Sequence, residues 1–345
     1  MQKYDHRTGQ IQLVNVWPDD NTGAGEDQKH RFQWTFPIVF NPHNSDVMYA
    51  CGNKVFRTEN GGHSWDEISP DLTVADPETL KMSGGPITYD SAGAEMYATI
   101  FAFAASQHEK GVLWAGSDDG LIHLTKDEGK KWSNVTPKGM EKYSQVTCIE
   151  QSPHDAGTAY VSAARHKNGD YAPYLYKTSD YGKSWTLITK GLPEDDFFRV
   201  IREDPNKKGL LYAGSELGVY VSFDDGGNWQ PLQNNLPLTP VYDLLLKDND
   251  LIIGTHGRSF WIMDDVTPLH QIADLAAANE NFVISPRDTV RIPKPFFADL
   301  FDNTVGKSYH ISLGQNATFI AKKDDYGQMQ KKLLDAGEDL SLIHI

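Results

Sequence analysis

Three carboxylates recur at comparable places in successive segments of the chain: Asp119 in GSDDGL (116–121), Asp170 in ARHKNGDYAPY (164–174) and Glu216 in GSELGV (214–219). Two carboxylates facing each other across a cleft can cleave a glycosidic bond, one protonating the leaving oxygen and the other serving as base or nucleophile. Asp119, Asp170 and Glu216 are therefore the candidate catalytic acids. The same segments hold groups suited to hydroxyl-rich or peptide ligands: Asp118, Arg165, His166 and Tyr171, and in GTHGRS (254–259) His256 and Arg258. Any one of these is also what an ordinary polar turn contains, and His256 with Arg258 could equally close a structural contact. Segment 164–174 stands apart, because it is longer than a turn needs and combines an arginine, a histidine, an aspartate and aromatic rings. The expectation is that Arg165, His166, Asp170, Asp119 and Glu216 converge on one pocket.

Other chemistries lack their residues. The sequence has no glycine-rich phosphate loop, no nucleophile elbow and no His/Cys/Asp spacing for a metal, so neither metal nor cofactor is expected. Cys51 and Cys148, the only two cysteines, lie in apolar runs and read as small buried hydrophobes. His123, in a strand-like run, reads as a sheet histidine. With 47 acidic against 32 basic residues and a net charge of −15, nucleic acid and anionic membrane surfaces are poor partners. No run approaches the roughly 20 apolar residues of a membrane span. Oligomeric state is not legible.

The elements that position these segments are set by a repeat. TENGGHSW (58–65), TKDEGKKW (125–132), TSDYGKSW (178–185) and SFDDGGNW (222–229) share one pattern, with their tryptophans 67, 53 and 44 residues apart. Before each box lie two short apolar runs around a turn, and after it another short run and a break. That is four short strands, A to D, per unit, and such meanders at this period are blades of a β-propeller. Units fall at about 33–70, 95–137, 144–190, 197–232 and 239–265, the last without a box. Each box lies at the C to D hairpin. There Gly62, Gly129, Gly182 and Gly226 can take a positive φ, and Asn60, Asp127, Asp180 and Asp224 can accept backbone N–H bonds within the turn. Trp65, Trp132, Trp185 and Trp229 can cover the hairpin. This makes the boxes scaffold; a calcium loop would need more carboxylates per box.

Alternate connections of a meander leave on the same side. The boxes and A to B turns therefore share one face, and the B to C turns with the D to A connections share the other. The candidate residues above all belong to B to C turns, which puts the expected ligand site on the face opposite the boxes.

The boxes match the S/T-x-D/N-x-G-x-x-W pattern of Asp-box (BNR) repeats, found in sialidases, two-propeller xyloglucanases and sortilin-type receptors. FRVIREDP…LLYAGSELGVYVSFDDGGNWQPL and GTHGRSFWIMDD resemble bacterial sortilin-like proteins often labelled BNR-repeat glycosyl hydrolases, over roughly residues 1–268. The resemblance implies an all-β propeller and an exported protein that binds a glycan or a peptide. Enzymes and receptors share the boxes, so a glycoside hydrolase and a structural protein–protein propeller remain open. The sialidase F/Y-R-I-P motif is not met: Arg291–Pro293 follows Val290 and lies beyond the blades. Two-propeller xyloglucanases divide their acids between propellers.

Residues 1–18 read as the outer strands of a preceding blade, so the ring within 19–266 is expected to be incomplete. Segment 267–281 reads as a linker helix with Leu269, Ile272 and Leu275 on one face, and 282–339 as the start of a truncated β-sandwich. Leu340–Ile345, LSLIHI, resembles the translation of a sequencing-library adapter and is expected to make no specific core contacts.

Overall fold

The computed structural model describes residues 1–18, 23–82, 96–275 and 283–286, and the backbone of three strands near the C-terminus. β1 (Gln2–Asp5) and β2 (Gln10–Leu13) form a hairpin. Blade 1 is β3 (Ile38–Asn41), β4 (Asn44–Cys51), β5 (Val55–Thr58) and β6 (Asp66–Glu67). Blade 2 is β7 (Ile100–Ala105), β8 (Leu113–Ser117), β9 (Ile122–Thr125) and β10 (Ser133–Asn134), and blade 3 is β11 (Gln145–Gln151), β12 (Ala159–Arg165), β13 (Asp170–Thr178) and β14 (Thr186–Leu187). Blade 4 is β15 (Phe198–Glu203), β16 (Leu211–Ser215), β17 (Val219–Ser222) and β18 (Gln230–Pro231). Blade 5 begins with β19 (Val241–Lys247), β20 (Asp250–Thr255) and β21 (Phe260–Met263). Further on, β22 (Ser308–Ser312) and β23 (Asn316–Ile320) pair as a hairpin, and β24 (Leu342–His344) completes blade 5. Two short helices, α1 (Pro77–Leu80) and α2 (Thr267–Leu275), interrupt the strands.

The chain is an all-β propeller of five four-stranded blades. Blades 1 to 4 are antiparallel meanders as the repeat predicts, while in blade 5 the fourth strand, β24, runs parallel to β21. In that pairing Phe260, Trp261 and Ile262 stand opposite Leu342, Ile343 and His344 in register. Residues 287–307 and 321–341, including Arg291–Pro293, lie outside the described residues, as do 19–22 and 83–95 of the expected propeller.

The innermost strands β3, β7, β11, β15 and β19 pack side by side in chain order, and the core lies between blades. Val47, Tyr49 and Val55 of blade 1 meet Leu113 and Ala115 of blade 2, and Trp114 and Ile122 meet Val146 and Val161 of blade 3. The third cluster joins blades 3, 4 and 5 and takes in Leu269 of α2, with Ile272 packed against it. Leu275 lies at the C-terminal end of this helix.

The boxes build the hairpins and also join the blades. In each, the first hydroxyl donates to the Asn or Asp two residues on: Thr58 to Asn60, Thr125 to Asp127, Thr178 to Asp180 and Ser222 to Asp224, at 2.8–2.9 Å. The carboxylate or amide oxygen then accepts the N–H four residues on, of Ser64, Lys131, Ser184 and Asn228, at 2.8–3.0 Å. Gly129 has φ +93°, and a Cβ there would stand 2.5 Å from the Ile68 carbonyl oxygen of the preceding blade. Trp132 donates its indole N–H to that same oxygen at 2.9 Å, and Trp185 and Trp229 do likewise to Val135 and Ile188 at 2.7 Å. Trp65 is the exception, with no hydrogen-bond partner for its indole N–H among the described residues.

A second clasp sits on the A to B turns. His43 bonds the Ser106 carbonyl of blade 2 at 2.9 Å, His108 the Ser152 carbonyl of blade 3 at 3.0 Å, and His154 the Asp204 carbonyl of blade 4 at 2.8 Å. The same turn of blade 4 uses Asn206, which reaches Asn249 of blade 5 at 3.0 Å. These three histidines are thus consumed by the scaffold.

Candidate functional site

On the opposite face, the inner strands share an irregularity. In β7, β11, β15 and β19 the register slips by one residue near the strand start, leaving Phe101, Thr147, Arg199 and Tyr242 with no residue directly opposite on the adjoining strand. A bulge bends its strand and re-aims the extra side chain. In blades 4 and 5 this brings Arg199 and Tyr242 together, the guanidinium 4.1 Å from the phenol ring centre.

Around that pair lies a platform. Arg199 also sits 4.8 Å from the Phe197 ring, and Phe197 stacks on His166 with centroids 4.3 Å apart and planes within 13°. Tyr171 packs at 6.1 Å on Phe197, and His256 at 4.9 Å on Tyr242. Glu216 holds Arg199 through bonds of 2.6 and 3.2 Å. Tyr171 and Tyr242 remain about half exposed, at 52% and 49%. Burial, then the charges of Arg199 and Lys167, hold His166 below the usual imidazole range, so it is neutral at pH 7.

Between blades 2 and 3 is a cavity of about 340 Å³, lined by Thr79, Tyr97, Asp118, Tyr143, Gln145, Ala164, Lys167 and Asn168. Asp118 is 5% exposed. Its carboxylate accepts the Thr99 N–H at 2.8 Å and the Thr99 hydroxyl at 2.9 Å. Burial nevertheless raises it to about 7, with Asp119 pushing the same way, and outweighs those two bonds and the opposing charge of Lys167. Tyr143 donates to Asp76 at 3.0 Å, fixing its ring at the rim.

The five residues expected to converge fall into three places. His166 and Glu216 join the platform. Asp119, 2% exposed, turns away from the cavity and accepts the Ser117 hydroxyl at 2.6 Å and the N–H groups of Val74 and Ala75 at 2.8 and 3.1 Å. It pins the connection after β6 and has no oxygen directed to a ligand. Arg165 and Asp170 pair with each other at 3.0 Å, and Tyr174 and Ala172 also bond Asp170, together lowering its carboxyl despite the burial that opposes them. Arg258 is exposed, and its carbonyl accepts the Trp261 indole. His123 lies in β9, with burial lowering its imidazole. Cys51 and Cys148 are free and buried. Cys148 differs from the plain hydrophobe expected, since Arg202 donates to its sulfur at 2.9 Å.

Phe197, Arg199, Tyr242, Tyr97, Tyr143 and Lys167 are the site residues that motif spacing did not reveal. Five of them lie on inner strands or on D to A connections, and Lys167 lies on the turn between β12 and β13. Only the apolar alternation of DDFFRVI and TPVYDLL hints at a crowded strand start. Among the described residues no group of three His, Cys, Asp or Glu is arranged to hold a metal ion, and no helix is long and apolar enough to cross a membrane.

No protein-family profile matches the chain. It is 27% identical over 118 residues to the oligoxyloglucan-reducing end-specific xyloglucanase of Emericella nidulans, which covers 32% of this chain and 14% of that enzyme. It is 22% identical over 270 residues to a probable enzyme of the same name from Neosartorya fischeri, covering 63% of this chain and 32% of that one. Among solved structures, the GH74 xyloglucanase of Xanthomonas campestris aligns with a TM-score of 0.50 at 14% identity, over 66% of this chain and 36% of that one. The chain therefore spans a third or less of the curated relatives it matches, and the structural likeness concerns the propeller fold.

Proposed function

We propose that this chain is a glycan-binding propeller, akin to the sortilin-like and xyloglucanase-like Asp-box proteins, whose ligand lies across the face opposite the boxes. The platform of blades 3 to 5 carries the reading. Sugar rings stack on aromatic faces, and here Tyr171 and Tyr242 are half exposed yet held in place by Phe197, His256 and the Arg199–Glu216 pair. Preorganised rings bind with little loss of side-chain freedom. The xyloglucanase similarity supports a β-linked polysaccharide as the ligand class, and export, where such polymers are met, belongs to the same reading. Calorimetry with neutral oligosaccharides, xyloglucan fragments included, tests it. Tyr242→Ala should weaken binding about tenfold or more, as removal of a central aromatic anchor does. Unchanged affinity in a folded Tyr242→Ala protein would place the ligand elsewhere.

A glycoside hydrolase is the second reading, favoured by Asp118, a buried carboxyl raised to about 7 that lines a cavity. A carboxyl in that range can serve as a general acid near neutrality. Among the described residues that line the cavity Asp118 is the one carboxylate, so the partner acid of the two-carboxylate mechanism would come from outside this group. Release of reducing sugar that Asp118→Asn abolishes would establish hydrolysis.

A further inference from the structure

Asp118 poses a problem that its neighbours do not solve. Asp71 is matched by Arg31 at 2.7 Å, Asp170 by Arg165 at 3.0 Å and Glu216 by Arg199 at 2.6 Å, but no cation lies within 4 Å of Asp118 among the described residues. A buried carboxylate without a counter-charge is costly, and a fixed cation or a bound one relieves it. Thr99 occupies one lone pair on each oxygen, so each keeps another for a donor. The surroundings add to the negative potential. Asp119 and Asp76 stand nearby, and the Tyr97 phenol is raised far above its usual range by burial and then by Asp118 and Asp119. Lys167 is the one cation among the described residues that line the cavity; it is exposed and lies on the short turn between β12 and β13. Tyr97 and Tyr143 supply aromatic walls, which attract cations through their ring faces.

We propose that the cavity between blades 2 and 3 is a subsite for a protonated amino group, the ammonium of a free amino sugar within a bound glycan, seated against Asp118 between Tyr97 and Tyr143. This rests on the glycan reading of the same face and adds to it a chemical class. A cavity of about 340 Å³ is at the small end of ligand pockets, which suits one sugar residue. Lys167 opposes the ammonium, so its removal should strengthen binding.

The test compares oligosaccharides of equal length by calorimetry at pH 7: a glucosamine tetramer, its N-acetylated form and a glucose tetramer. The amino form should bind about tenfold more tightly than either. Asp118→Asn should erase that preference, and Lys167→Ala should keep or enlarge it. Wild-type protein gives a second readout through tetramethylammonium, whose charge does not titrate. Its affinity should rise about tenfold from pH 6 to pH 8 as Asp118 ionises around 7. Equal binding of the three tetramers, a preference that survives Asp118→Asn, or a flat pH profile would each overturn the ammonium subsite. Tyr242→Ala separates the two claims: loss of glucose-tetramer binding in that variant upholds the platform whatever happens at Asp118, and its retention removes the platform alone.

Discussion

Asp118 and Asp119 are adjacent letters with opposite fates. The B to C turn between β8 and β9 directs one carboxylate into the loop after β6, where Ser117, Val74 and Ala75 satisfy it, and the other into a cavity. GSDDGL alone points to Asp119 as the acid and Asp118 as a ligand contact, whereas their fates are set by Val74 and Ala75 on one side and Thr99, Tyr97 and Tyr143 on the other, all far away in sequence. Asp118 then makes a stability prediction with a definite sign. Its folded value is about 7 against a reference of 3.8, so between those values the folded protein holds a proton that the unfolded chain releases. Stability from this group is therefore greatest in acid and is lost as pH rises through about 4 to 7. Melting of Asp118→Asn should lack this component, gaining on the wild type by an order of a few kcal/mol between pH 4 and pH 8. A constant difference between the two proteins across that range would show that Asp118 is ionised throughout.

At the scale of the element, the box hairpins show what was legible and what was not. Bonds within a box join residues two and four apart, so Thr178, Asp180 and Ser184 declare them by spacing alone. The bonds between blades could not be read this way. Trp229 reaches Ile188, 41 residues back, and the tight seat of Gly129 against Ile68 depends on the blade before it. The bulges are hidden for a similar reason: an extra residue in β15 or β19 becomes visible only once the register with β16 or β20 is fixed. Three box tryptophans donate to a neighbouring blade and Trp65 does not, and Trp185, half-buried like Trp65, allows a matched comparison. Replacing Trp185 with Phe removes packing and leaves the Val135 carbonyl without its donor, and should cost about 2–4 kcal/mol. Trp65→Phe loses packing alone and should cost about 1 kcal/mol less in the same chemical denaturation series. Equal losses would mean the indole bond contributes little to joining the blades. Gly129→Ala, which combines a positive φ with a close approach, should cost about 2 kcal/mol or more.

For the whole molecule, the question is what keeps five separate sheets in one arrangement. The clasps of the boxes and of His43, His108 and His154 act on one face, at the hairpin turns. Near the axis the work falls to Arg202 of β15. Its guanidinium bonds Glu150 of β11 at 3.2 Å, Asp243 of β19 at 2.8 Å, the Leu244 carbonyl at 2.9 Å and the Cys148 sulfur at 2.9 Å, so one side chain ties the inner strands of three blades. Burial raises Glu150 to about 7 even with Arg202 beside it. Removing the guanidinium would push Glu150 higher and leave it largely buried with the Glu203 backbone bond but no counter-charge, the expensive way to break an ion pair. Arg202→Met keeps most of the volume and should therefore destabilise by about 2–4 kcal/mol at pH 8, the full buried-pair penalty being discounted because the pair is about a quarter exposed. At pH 6 the orphaned Glu150 would take up a proton, and the loss should shrink by more than half. Denaturant titrations of both proteins at the two pH values decide the matter. A loss that is the same at pH 6 and pH 8 would assign the effect to packing and to the Leu244 carbonyl, and the charged strut would not be what spaces the inner strands.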